Sequence, residues 1–490
     1  MIFEPVIGLE VHIQLSTKSK MFCGCSASYQ EQEPNSLVCE VCLGLPGALP
    51  SVNQEAIRSA IKLGLSLNCR IANLTKFDRK NYVYPDLMKG YQISQFDLPI
   101  ATNGTIMVDD NINKSEALIR INRVHMEEDV AKLTHNDISN SVIMDINRSG
   151  VPLLEVVTEP DFSTASQAED YLVQLQSIVR YIGIGTANME EGSFRCDANV
   201  SIRKKGTKKL NEKVEIKNMN RIKAVSRAIE YEIERQKEAT KNGERIVQET
   251  RGWDDIKSKS IPQRSKEDAH DYRYFPEPDI PALQISEKFI ESMRSKLPEL
   301  PKLKLQRYID ELGLSEYNAS ILVSNKKKAD FFEKVIMSMN DIAEKQKLHP
   351  PSIASWVNVE LNSVSNSAKD SDLKNMKISP ENFGKLILLV SENHLNKNSA
   401  KELLEEVYFS NDDPVRLSEE RGLQRIEDTT ELKKIISVVL KNNPNAVNDY
   451  HNGKETSVRF LIGQVMKESK GKANPQTAEN EIIDQLKNDK

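Results

Sequence analysis

A change of period near residue 285 constrains this chain more than any other feature. Before it, apolar and polar residues alternate in short runs, as in Val6-Ile-Gly-Leu-Glu-Val-His-Ile-Gln-Leu15, Ala117-Leu-Ile-Arg-Ile-Asn-Arg-Val124 and Ala198-Asn-Val-Ser-Ile202. That two-residue period belongs to half-buried strands. After the proline-rich Phe275-Pro-Glu-Pro-Asp-Ile-Pro281 the strand signal stops. From there the apolar residues take helical spacing: Leu432, Ile435, Ile436, Val439 and Leu440, then Val458, Leu461, Ile462, Val465 and Met466. The expected class is α+β, a mixed strand and helix cradle domain over 1–290 followed by a helical domain over 291–409 and a small all-α tail over 410–490. A chain of 490 residues exceeds the roughly 250 to 300 at which one core stops growing, so several domains are expected.

Within the first domain, Ser51 to Gln54 has the form of a capping box before Ile57, Ile61 and Leu65. Leu172, Leu175, Val179 and Ile182 keep helical spacing up to Gly183, and a third helix is expected from Arg221 to about Gln236. Composition places linkers at Asn362–Lys377 and Ser410–Pro414.

Hydrophobic residues make up 39% of the chain, and no run approaches the ~18 apolar residues of a membrane span. The N-terminus has no basic flank before an apolar stretch, so a cytosolic protein is expected, with no membrane partner. A net charge of -5 argues against a protein that coats nucleic acid indiscriminately, though not against a local basic patch. No Walker-type phosphate loop is present: Gly453-Lys454 is followed by Glu455 and has Asn448 in place of the leading glycine. Zinc-protease, GxSxG and dinucleotide motifs are missing too, and no glutaminase nucleophile is evident.

Four of the six cysteines fall between Cys23 and Cys42 as Cys23-Gly-Cys25 and Cys39-Glu-Val-Cys42. Two such tight turns can present four thiolates to one zinc ion, and a closed shell of four protein ligands makes that zinc structural. It would fix the loop Leu43-Gly-Leu-Pro-Gly-Ala-Leu-Pro50; Cys69 and Cys196 read as core.

Acids and histidines gather in three further places. Strand alternation sends Glu10 and His12 to one face and Leu9, Val11 and Ile13 to the other. In Val124-His-Met-Glu-Glu-Asp129 an extended chain puts His125, Glu127 and Asp129 together with Glu128 opposite. In Met189-Glu-Glu-Gly-Ser-Phe-Arg-Cys-Asp-Ala-Asn-Val-Ser201, Arg195, Asp197, Asn199 and Ser201 share a face. Carboxylates of this kind suit magnesium carrying nucleotide phosphates, and Lys217 offers a positive charge. A solvated acidic face with ordinary ion pairs is the alternative.

The strings VIGLEVHIQL, VCLGLPGALP, FDRKNYVYPDLMKGYQISQFDLPI, RVHMEEDVAKL, DINRSGVPLLEVVTEPDF, MEEGSFRCDANVS, VEIKNMN and DAHDYRYFPEPDIP, with the cysteine pairs, resemble the B subunit of the tRNA-dependent amidotransferase (the GatB family). The tail segments Asp449–Glu455, Gly463–Lys467 and Lys470–Pro475 resemble that family's small YqeY-like tRNA-binding domain. Two departures, Met88 where the family usually has Pro and Arg221 where it usually has Ser, replace no acid or cysteine. The resemblance implies ATP-dependent conversion of misacylated Glu-tRNA(Gln) or Asp-tRNA(Asn) to its amide. Ammonia would come from a glutaminase (amidase), the family's A subunit, and the heterotrimer would be completed by a small C subunit. The resemblance further implies that Glu10, His12, Glu127 and Glu128 hold Mg-ATP, with Glu190, Arg195, Asp197 and Lys217 completing the catalytic set. Tyr82, Tyr84, Lys89 and Tyr91 would clasp the tRNA 3′ end, aromatic stacking being worth ~1 to 3 kcal/mol per base. Lys467, Lys470 and Lys472 would meet tRNA phosphates. Two rivals remain open, a tRNA-docking module without chemistry and a metal-dependent phosphodiesterase.

Overall fold

The computed structural model describes residues 2–110, 112–136, 141–265, 271–342, 348–370, 373–425, 429–469 and 471–488. The chain divides into two compact units, Met1–Lys302 and Leu303–Lys490.

The first unit is built on a nine-stranded sheet. Its spatial order is Lys259–Ser265, Glu249–Asp254, Val214–Met219, Phe194–Lys204, Phe3–Gln14, Pro152–Thr158, Ser115–Glu128, Ala101–Asp110 and Arg70–Ile71. Neighbours run antiparallel except Val214–Met219 against Glu249–Asp254, which are parallel and joined through the helix Ile222–Lys241. The first strand lies at the centre, between strands some 140 to 200 residues further along.

The expected alternation sets the two faces. Leu9, Val11, Ile13, Val124, Met126, Leu154, Val156, Phe194, Ala198 and Val200 are all buried and join one core. The helices Gln54–Ser66, Ala165–Tyr181 and Ile222–Lys241 cover that face. Burying each such apolar side chain is worth about 1.5 to 3 kcal/mol. Gly104 has no side chain because none fits: a Cβ there would stand 2.3 Å from Cys69 Sγ and 2.6 Å from the Leu67 carbonyl. Cys69 and Cys196 are both buried core residues.

Helix starts differ in detail from expectation. Asn53, not Ser51, caps the first long helix, its Oδ1 accepting from the backbone of Glu55 and Ala56. Asparagine is as good a cap as serine, and its Nδ2 also ties back to the Ser19 carbonyl at 2.9 Å. Arg221 stands at the start of Ile222–Lys241 and makes no side-chain cap bond. That helix runs five residues past the expected Gln236, to Lys241.

Among the described residues no strand follows Gln284. The polar stretch Asn362–Lys377, expected as a linker, opens as the helix Asn362–Ser367. It continues a π-helical turn, Trp356–Leu361, whose Val357 and Leu361 are fully buried, so the apolar register carries the helix onward through Val364. Only then does the chain turn, at Asp370, which accepts from the backbone of Lys374 and Asn375 and from Tyr408. The last four helices, Thr429–Asn442, Pro444–His451, Thr456–Glu468 and Pro475–Asn488, close around Leu432, Ile436, Val439, Leu461, Val465, Ile482 and Leu486. The helix Pro414–Glu420 packs instead on Pro380–Ser391 and Lys397–Ser410. No helix among the described residues is long and apolar enough to cross a membrane.

Candidate functional site

The face of the large sheet opposite the helices is polar. Register places Arg195, His12, Glu155 and His125 side by side across four strands, because His12 pairs with both Arg195 and Glu155, and Glu155 with His125. His12 Nε2 lies 3.3 Å from Glu127 and 3.4 Å from Glu155, and His125 Nε2 lies 3.1 Å from Glu155. Glu127 is 2% and Glu155 7% exposed. Burial opposes both charges. For Glu155 it is outweighed by His125 and then His12, which hold its carboxyl well below the usual range. Glu127 is lowered against the same burial by His12. Burial likewise works against a charge on His12, yet Glu155 and Glu127 lift it to about 10.

One row further along, Glu10 and Asp197 are register partners. Glu10 accepts from Asn199 at 2.9 Å, and Asp197 pairs with Lys217, which also reaches Glu215 at 3.2 Å. On the other side, Asp129 accepts from Gln14 at 2.7 Å and from Arg195 at 3.0 Å, with Arg148 at 3.7 Å. Among the described residues, three buried polar atoms on this face have no hydrogen-bond partner: Nδ1 of His125, Nε of Arg195 and Oδ1 of Asn199. Buried polar groups are nearly always satisfied, so these point to a ligand or solvent.

A small sheet, Phe275–Pro276, Asp78–Asn81 and Tyr91–Ser94, stands beside this face. It brings Lys80 into the field of Glu127, Tyr274, Glu155 and Tyr272, which together raise its pKa against the cost of burial. The Lys80 ammonium lies 4.9 Å over the Tyr272 ring and 5.9 Å over Tyr82. Phe96 and Tyr274 stack with centroids 4.3 Å apart.

His12, Glu127 and Glu155 offer one ligand atom each within 4.8 Å of one another. A histidine with two carboxylates fits a divalent cation with positions left for water or phosphate. The four clustered cysteines meet the same test, every sulfur within 4.8 Å of the others. Zinc bonded to sulfur at about 2.3 Å implies tetrahedral sulfur separations near 3.8 Å. Cys39 and Cys42 are 3.8 Å apart. Cys42 is drawn down to about 5, first by its hydrogen bond with Cys23, then by the backbone at Cys39 and by Lys20. Cys25 is pushed up to about 11 by burial and by Cys39.

Comparison with known proteins finds matches over nearly the whole chain. The GatB/GatE catalytic domain model matches residues 5–291 and the GatB domain model residues 330–486. The chain belongs to the GatB family. A relative in Dehalococcoides mccartyi strain 195, named as the B subunit of aspartyl/glutamyl-tRNA(Asn/Gln) amidotransferase, is 50% identical over 480 residues, 97% of each chain. Relatives of the same name in Caldanaerobacter subterraneus and Thermotoga maritima are 46% and 44% identical over 99% of each chain.

In this GatB chain the expected site residues separate into groups. His12 and Glu127 meet directly; Glu10, Asp197 and Lys217 lie one row away on the same face, and Arg195, the register partner of His12, donates to Asp129. Glu128 does not join them. It points to the other side of its strand, pairs with Lys89 and accepts from the Ile93 backbone at 2.9 Å. Glu190 sits on a surface turn, 3.5 Å from Arg221 with both side chains more than half exposed. Tyr82 borders the site through Lys80 and Tyr272, Tyr84 is 54% exposed, and Tyr91 lies under the Arg79 guanidinium at 4.3 Å. Lys467 and Lys472 belong to the second unit, and Lys470 lies outside the described residues.

Sequence reasoning passed over Glu155, Tyr272 and Tyr274; it set His125 beside Glu127 without giving it a role, and Lys80 stood in the signature FDRKNYVYPDLMKGYQISQFDLPI without a role of its own. Glu155 had a signal, a single acid in the apolar run Val151-Pro-Leu-Leu-Glu-Val-Val157. Nothing in the sequence set Lys80 beside the two tyrosines, because the small sheet pairs strands nearly 200 residues apart, Arg79 with Phe275.

Proposed function

We propose that this chain binds a misacylated Glu-tRNA(Gln) or Asp-tRNA(Asn) and converts its side-chain carboxylate to the amide at the polar face of the nine-stranded sheet. The carboxylate oxygen attacks the γ-phosphorus of ATP and ADP leaves; ammonia then attacks the acyl carbon, phosphate leaves, and the nitrogen sheds a proton. A carboxylate is a poor acyl donor until it is so activated. His12, Glu127 and Glu155 would hold magnesium, which when bound offsets the charge of the phosphates. Lys80, Arg195 and Lys217 add fixed positive charge around the reacting groups, placed before reaction and therefore without reorganisation cost. Tyr82, Tyr272 and Tyr274 give the 3′-terminal base aromatic faces next to that charge. The four cysteines would hold structural zinc.

With no glutaminase nucleophile in view, ammonia is supplied by a glutaminase partner, the A subunit, joined through a small C subunit in a cytosolic heterotrimer. The observation that carries the reading is the set of orphaned polar atoms on Asn199, Arg195 and His125, lined along one face with the His12–Glu127–Glu155 cluster. The test is transamidation of glutamyl-tRNA by the assembled complex given ammonium chloride in place of glutamine, which bypasses the partner's chemistry. Wild type is expected to amidate with ATP and magnesium, while Glu127→Gln binds tRNA without amidating it. Equal rates would leave this chain a docking module only.

A further inference from the structure

Lys20 is fully buried, an unusual state for a lysine without an anionic partner. Among the described residues no carboxylate lies within ion-pair distance of its ammonium, which donates a bond to the Leu37 carbonyl at 2.8 Å. Three N–H groups and a full charge are therefore served by one acceptor among the described residues, and an ammonium desolvated in this way needs negative charge close by.

That charge is available from the cysteines. The Lys20 backbone N–H donates to the Cys25 carbonyl at 2.9 Å, and Leu37 lies two residues before Cys39. Lys20 thus bridges the Cys23–Cys25 limb and the Cys39–Cys42 limb, one by its backbone and the other by its ammonium. Its stem lies along Gly150, where a Cβ would meet Lys20 Cδ at 3.3 Å and Cys42 Cβ at 3.7 Å. Lys20 and Cys42 therefore pack against the same bare backbone. Lys89, which lines the same hollow as Cys23 and Cys42, is already neutralised by Glu128.

Four thiolates around one zinc ion carry a net charge of about −2. We infer that Lys20 is the built-in counter-ion of the tetrathiolate centre, a positioning residue that raises metal affinity through its charge and locks the two ligand limbs together. This inference rests on zinc occupying the cluster and is independent of the carboxylate site.

The experiment is zinc competition against a chromophoric chelator on the full chain, comparing wild type, Lys20→Met, Lys20→Gln and Lys20→Arg, with circular dichroism of each. Metal-supporting residues outside the ligand set typically contribute 10- to 100-fold in affinity. Lys20→Met and Lys20→Gln are expected to lose zinc affinity by that factor, and Lys20→Arg to stay within about threefold of wild type. Should the two neutral variants fail to fold while Lys20→Arg folds and retains zinc, the requirement for charge is equally met. The inference is overturned if Lys20→Met holds zinc as wild type does, if Lys20→Gln restores affinity as a mere hydrogen-bond donor, or if all three variants misfold alike. Wild type without zinc would overturn it through the metal itself, with amidation by the carboxylate site unaffected.

Discussion

Glu277→Gln should loosen the first unit by an amount that can be worked from its geometry. The Glu277 side chain is 1% exposed and grips Arg79 with both oxygens, Nε to Oε2 at 2.7 Å and Nη2 to Oε1 at 2.9 Å. The pair joins the Phe275–Pro276 and Asp78–Asn81 strands, and so holds Tyr274 and Lys80 together. Removing one partner of a buried ion pair costs about 3 to 5 kcal/mol because the other charge stays behind. Here glutamine still accepts one of the two bonds, Arg79 is 20% exposed, and Asp279 remains at 3.4 Å, so about 2 to 3 kcal/mol is expected. At about 2.1 cal/mol/K per residue the unit Met1–Lys302 has an unfolding entropy near 0.6 kcal/mol/K, which turns that loss into a drop of ~3 to 5 °C. Differential scanning calorimetry reads it in the transition assigned to this unit. The double variant Arg79→Met/Glu277→Leu, which leaves no buried charge unpaired, Asp279 being 40% exposed, should recover at least half. A Glu277→Gln transition within about 1 °C of wild type, or a double variant no better than the single, would refute the reasoning.

Glu155→Gln is expected to lower ammonium-driven amidation by roughly 100-fold while tRNA binding persists, measured in the assembled complex; retention of full activity would remove Glu155 from the site. Gly104→Ala places a methyl against Cys69 and the Leu67 carbonyl and should cost about 2 to 3 kcal/mol in urea unfolding. In the second unit Glu333, paired with Arg307 and with Lys304 at 3.1 Å, has its carboxyl held below the ordinary 4.5 although burial alone would raise it. A lowered carboxyl contributes stability that is present above its unfolded value and lost as pH falls through its folded one. The gap in unfolding free energy between wild type and Glu333→Gln from urea titration, about 1 to 2 kcal/mol at pH 6, should therefore close toward pH 3; a constant gap would show that the charge is not responsible.

Alternation alone was enough to read the polar and apolar faces of the Phe3–Gln14 strand, and with them His12 against Ile13. It also separated Glu127 from Glu128, although the family resemblance set both at the same site; the structure places Glu128 with Lys89. Period told helix from strand, but not where a helix stops when an apolar register continues under a polar composition, as at Asn362–Ser367. What no single sequence shows is pairing between distant strands. Glu155 reaches His12 because Pro152–Thr158 is the neighbour of Phe3–Gln14, and Lys80 reaches Tyr272 because Asp78–Asn81 takes Phe275–Pro276 as its partner. Local chemistry was legible in the cysteines, whose four sulfurs come from 20 residues of chain, and not in the carboxylate site, which draws on segments from His12 to Lys217.

The central place of the first strand bears on how the protein is made. Its antiparallel neighbours are residues 152–158 and 194–204, so a ribosome working at about 5 to 20 residues per second needs roughly 10 to 40 s to deliver them. Throughout that interval Ile7, Leu9, Val11 and Ile13 have no sheet to enter, though all four are fully buried in the finished protein. The nascent chain carries these four apolar side chains without their sheet for that whole interval, and dilution or a holding chaperone at the ribosome exit should raise the yield of this protein more than either would for one whose first strand closes a local hairpin.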